Sequence, residues 1–230
     1  MTARSSGEGT RQAPHFQVRD CALIAQASGR SAQNLRELAE GLRYVRIGSI
    51  YYHFWGRFLR PTFDEPEYNN DFASWTHHDL QDNTLAERLS VINPADFPDL
   101  EDLRQELVDV VEARLDESES AGWVQAPRHF YFIQAQTIVF DTGAMVEEPR
   151  QLAEVVPRMS SGSIFYHFID AQRRTPDHTD DFSQWLADLG DRYAELRERI
   201  VAIDPYFASI RQLRGELSEL LTDFFEEGQL

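Results

Sequence analysis

The sequence predicts a mainly α-helical protein, an internally duplicated tandem of two helical domains. One short β-strand per copy fits the same pattern and makes α+β the alternative. Three observations carry this expectation. Gly48-Ser49-Ile50-Tyr51-Tyr52-His53-Phe54 returns as Gly162-Ser163-Ile164-Phe165-Tyr166-His167-Phe168, 114 positions later and with one Tyr-to-Phe change. Matching anchors flank it in one order: His15-Phe16 with His129-Phe130, Asp71-Phe72 with Asp181-Phe182, and Trp75 with Trp185. Apolar residues recur at spacings of three and four through much of both stretches, the period of an amphipathic helix. Repeats are sought first because they change the unit that must fold.

Taken in order, residues 1–14 are Ser, Gly, Thr and Arg ending in Pro14 and are expected to be a disordered tail. The first repeat domain spans 15–116, a linker 117–128 and the second domain 129–226. Phe130 to Phe140 is rich in β-branched and aromatic residues and reads as a strand. Phe16 to Ile24 is ambiguous with helix and is assigned strand by its place in the repeat. Gly29 and Gly143 are read as turn glycines ending these segments. A helix at about 34–44 follows, and its twin starts at Pro149, since proline suits a first helical position. The repeated helix is expected to be capped by Ser49 or Ser163. Its buried stripe is Ile50, Tyr51, Phe54 and Phe58. After a loop at 60–69, a third helix carries Phe72 and Trp75, or Phe182 and Trp185, with Asp71 or Asp181 as caps. A fourth ends at the Asn93-Pro94 and Asp204-Pro205 pairs. The fifth covers about 98–115, and about 206–226 with Phe207 on its apolar side.

Composition narrows the functional classes. The 230 residues are 42% hydrophobic and 12% aromatic, enough for real cores. Net charge is −17, and all 22 basic residues are arginine. Without lysine there is no Schiff-base chemistry and no phosphate-gripping P-loop lysine. The acidic field opposes binding to nucleic-acid phosphate and anionic membranes, so neither is expected as a partner. No apolar run reaches a membrane span and the first residues lack a signal-peptide core, so a cytoplasmic protein is expected. The lone Cys21 reads as a small core residue.

The run Gly-Ser-Ile-aromatic-Tyr-His-Phe, then Asn70-Asp71-Phe72 with Trp75, Leu85-Ala86-Glu87-Arg88-Leu89 and Ile92-Asn93-Pro94, resembles a bacterial and archaeal family known as a domain of unknown function. The likeness covers about 15–116 and 129–226, with Asp180 departing from the Asn of the Asn-Asp-Phe signature. It implies the tandem reading and supplies no activity.

The side chains with chemical potential cluster near the repeated helix. His53 and His167 are candidates for a general base or a ligand contact, with Asp71 and Asp181 within reach across the helix pair. Helix-borne zinc spacing is missing, because Ser49 and Arg57 flank His53 at four residues, so no metal and no cofactor is expected. Tyr52, Tyr166, Arg60 and Arg174 are candidates for ligand binding, and Trp75 and Trp185 for stacking. Ser49 or Ser163 with the histidine lacks a nucleophile elbow, and capping explains the serine better. No catalytic set emerges. The expectation is a non-catalytic protein-interaction or regulatory module with an unknown protein partner. The alternative is an enzyme or small-ligand sensor with a site around the Ser-Ile-x-Tyr-His helix.

Overall fold

A computed structural model describes residues 15–60, 67–175, 177–206 and 208–227. The tail 1–14, most of the loop at 60–69, and Phe207 lie outside the described residues. Two long strands, β1 (Phe16–Ala32) and β2 (Phe130–Val146), pair antiparallel. Between them come α1 (Leu35–Tyr44), α2 (Ile47–Trp55), a 3-10 turn (Gly56–Leu59), α3 (Asp71–His78), α4 (Asn83–Ser90) and α5 (Leu100–Glu117). After β2 come α6 (Leu152–Val155), α7 (Ser161–Ile164), a π-helical turn (Phe165–Asp170), α8 (Ala171–Arg174), α9 (Asp181–Asp188), α10 (Ala194–Val201) and α11 (Ile210–Glu227).

This arrangement corrects the expected tandem of two helical domains. The chain forms a single α+β domain, and its strands are 17 residues each rather than short. Gly29 and Gly143 do not end the strands. They sit inside them with φ of +80° and +73°, at the two places where the pairing register shifts. Glycine takes that left-handed backbone without a Cβ penalty, so each bulge continues into ladder rather than turn. The first strand looked helical because its middle, Cys21 to Ala27, is largely small and exposed, which hides the alternation of a half-buried strand.

The ribbon runs from one core to another. Phe130 and Phe132 of β2 lie in the core built by α1 to α5, beside Leu38, Phe54 and Phe72. Phe16, Val18 and Cys21 of β1 lie in the core of the later helices, beside Ile164, Phe168 and Trp185. Each strand thus completes the core of the other half's helices. Tyr206, from beyond α10, also enters the first core, while Tyr51 and Phe58 enter the second. The expected stripe on α2 is therefore split, with Ile50 and Phe54 facing one core and Tyr51 and Phe58 the other. The segment 117–128 carries a 3-10 turn and buries Ala121 and Ala126, and the Ala126 N–H donates to the Gln33 carbonyl at 2.7 Å.

Helix starts also differ from expectation. Asn34 caps α1, and Pro149 opens a 3-10 turn as anticipated. Ser49 does not cap. The helix starts at Ile47, two residues earlier, and the Ser49 hydroxyl is buried without a hydrogen-bond partner among the described residues. At α7 the cap is Ser160, whose hydroxyl accepts the Ser163 N–H at 2.9 Å. Asp71 and Asp181 do not cap either. Asn70 and Asp180 take that role, accepting from Ala73 and Ser183. The following aspartates are left free to point across to the neighbouring helix.

Candidate functional site

The freed aspartates meet the histidines. His53 Nδ1 lies 2.8 Å from Asp71 Oδ2, and its Nε2 accepts the Ile133 N–H of β2 at 3.1 Å. His167 Nδ1 lies 2.8 Å from Asp181 Oδ2, and its Nε2 accepts the Arg19 N–H of β1 at 2.8 Å. An accepting Nε2 leaves the ring proton on Nδ1, where it is donated to the carboxylate. Each imidazole therefore ties a helix pair to the strand from the other half. Both rings are only 2–3% exposed. With both nitrogens engaged, neither ring has a free lone pair for a substrate proton or a cation.

Electrostatics agrees with a neutral His53 ring. Burial pushes His53 below its ordinary 6.5, against the opposing pull of Asp71. Burial would raise the Asp71 carboxyl, but the His53 hydrogen bond and the Arg60 charge outweigh it and hold the carboxyl below 3.8. Arg60 donates to Asp71 Oδ1 at 2.7 Å and lies 5.3 Å over the Tyr52 ring. Arg174 repeats both contacts, reaching Asp181 at 3.0 Å and the Tyr166 ring at 4.0 Å. The candidate residues His53, Asp71, Arg60 and Tyr52 are thus brought together, as are His167, Asp181, Arg174 and Tyr166. Trp75 and Trp185 stand apart as core residues, 6% and 5% exposed. The Trp75 indole donates to the Arg128 carbonyl at 2.7 Å.

Sequence reasoning missed Asp170. It is 2% exposed and accepts from the Tyr51 hydroxyl at 2.7 Å, Arg173 at 3.0 Å and Arg174 Nε at 3.0 Å. Burial and the adjacent Asp170 charge push Tyr51 well above 10, so it stays a donor. A signal existed: an acid inside the apolar run Phe165 to Ala171 has to be paired, because an isolated buried charge is too costly. Its counterpart after His53 is Gly56. There an open cleft of about 440 Å³ lies between β1, the end of α2 and the start of α7. Asp20, Tyr52, Gly56, Arg60, Ser160 and Ser161 face it. Cys21 also borders it, but its thiol is pushed up to about 12 by burial first and Asp170 second, which leaves it inert as a nucleophile.

Comparison with known proteins adds kinship and no activity. The solved structure of OrfY from Thermoproteus tenax superposes with a TM-score of 0.78 at 31% identity, covering 91% of this chain and 95% of that one. A comparison with the curated proteins finds no match. No helix among the described residues is long and apolar enough to cross a membrane. Residues 13–222 match the model of a family of unknown function, DUF5752, and the chain belongs to that family.

Proposed function

We propose that the chain is a non-catalytic interaction module that docks a neutral or basic protein on the solvent-facing side of its ribbon. The observation that carries this is an apolar patch at mid-ribbon. Ala22 pairs with Ile138, Ile24 with Gln136 and Asp20 with Phe140, so these side chains share one face of the sheet. Ile24 is 52% exposed, Ile138 36% and Phe140 48%. A cluster of exposed large apolar residues, rimmed here by Gln26, Gln134 and Gln136, is the common form of a protein contact. The sealed histidines support a non-catalytic reading, since neither offers a base to a substrate. Charge selects the partner: at −17 a second copy of the chain is repelled and a basic surface is attracted.

The test replaces Phe140 with a photo-crosslinking phenylalanine analogue in the full-length protein. Crosslinking to a basic protein, lost in Ile24→Asp/Ile138→Asp protein of unchanged melting temperature, is the expected result. Crosslinks only to a second copy, or to partners that the double variant retains, overturn the proposal.

The cleft beside Arg60 favours a second reading, a small-ligand sensor built on the same frame.

A further inference from the structure

We infer that the Gly56–Arg60 cleft binds a small hydroxylated carboxylate, an inference that rests on the sensor reading. An arginine in this setting already holds two carboxylates in the other half. Arg174 stacks over Tyr166, bonds Asp181, and in addition takes a second carboxylate, Asp170, on its Nε. Arg60 has the same tyrosine beneath it and the same first carboxylate, Asp71. Three residues after His167 the chain supplies Asp170, while three residues after His53 it supplies Gly56. Among the described residues, Asp71 is the carboxylate hydrogen-bonded to Arg60. In this half the Tyr52 ring stands against Gly56 where a side chain would begin, and Arg60, Tyr52 and Gly56 together line an open cleft.

The walls define the rest of the ligand. At about 440 Å³ the cleft is within the size range of small-molecule sites. Leu23 and Leu59 supply apolar contact, and the Asp20 carboxylate and the Ser161 hydroxyl supply an acceptor and a hydroxyl suited to ligand hydroxyl groups. The Asp20 carboxylate repels a second negative charge near it, so a monoanion fits better than a dianion. Arg60 is already held by Asp71 and Tyr52, so little side-chain freedom is lost when the anion arrives. A bidentate fork on a carboxylate is the geometry to which guanidinium is suited.

The test is titration calorimetry on the full chain with glycerate and lactate, alongside glyceramide and inorganic phosphate. Saturable binding of glycerate or lactate, and none of glyceramide, is the expected result. Arg60→Gln should weaken it by roughly tenfold or more, the scale of losing a hydrogen bond to a charged group. Because Arg60 also steadies Asp71, a second variant guards against a folding artefact. Ser161 is exposed at the start of α7, so Ser161→Glu keeps the melting temperature while placing a negative charge in the cleft, and should weaken binding similarly. Binding of phosphate without either carboxylate overturns the ligand class and leaves the sensor reading standing. No binding of any of the four probes overturns both. Binding that survives both variants removes the cleft as its site.

Discussion

Around His167 a second carboxylate is sealed between Arg173, Arg174 and the Tyr51 hydroxyl, whereas around His53 its place is held by Gly56. The two clusters otherwise share a histidine, an aspartate, an arginine and a strand amide from the other half. The shared part is a latch, which fixes ring orientation and satisfies a backbone N–H that the two-stranded sheet leaves unpaired. The part that differs separates structure from opportunity. Asp170 must be fully bonded because it is buried, so its cluster is closed. Gly56 makes no such demand, and the cleft it shares with Arg60 is open.

The two halves depend on each other most at the strands. Phe16→Ala and Phe130→Ala should each cost about 3–5 kcal/mol, because each removes a buried ring and leaves a cavity. Calorimetry should still show one transition, since each ring sits in a core made by the other half's helices. Two separable transitions would restore independent domains. Next in size, Asp170→Ala should cost about 3 kcal/mol by stranding Tyr51 and two arginines beside an emptied site. A change below about 0.5 kcal/mol in urea melts would mean that the closed cluster contributes nothing the open one lacks.

The latches themselves should be weaker. His53→Gln should lose about 1–2 kcal/mol, since glutamine keeps a hydrogen bond but loses the ring contacts with Phe72 and Phe130. The same variant tests the pH dependence. His53 is held below 6.5 in the folded chain, so its contribution is complete above that pH. As pH falls from 6.5 towards the folded value, the unfolded chain binds the proton first and stability drops. His53→Gln should flatten that part of the stability–pH curve, and an unchanged slope would place the titration elsewhere. The smallest effects lie at the helix starts. Ser160→Ala should cost about 1 kcal/mol as a lost cap. Ser49→Ala should stay within about 0.5 kcal/mol, because its hydroxyl has no partner to lose among the described residues.

Helices were legible where the apolar period was regular, as for α1 and α5, whereas α9 was placed with its cap one residue late. The grouping of Arg60 with Asp71 and His53 was half legible. Residue types and spacing pointed to His53 and Asp71, but the capping rule assigned the aspartate to its own helix. One residue decides this, since Asn70 and Asp180 had equal chemical claim to the cap. What sequence could not show was which half each strand serves. Phe130 and Phe132 look the same whether they pack on their own helices or on those before them. That choice is set by the ribbon's register, with its partners 98 to 130 residues apart in the chain. The expectation of two domains failed for this reason.

The ribbon also sets an order of events in time. Ile133 reaches back 80 residues to His53, and Arg19 reaches forward 148 to His167. On a ribosome, α1 to α5 emerge before the strand that roofs them, so their aromatic residues must wait, unsatisfied, for β2. β1 waits longer still, until the helices around His167 have been made. Long-range pairing of this kind slows folding because loop closure must precede the contacts that reward it. A nascent chain released before Phe130 therefore ends with an unroofed core and two bare strand edges, the form in which polypeptides aggregate.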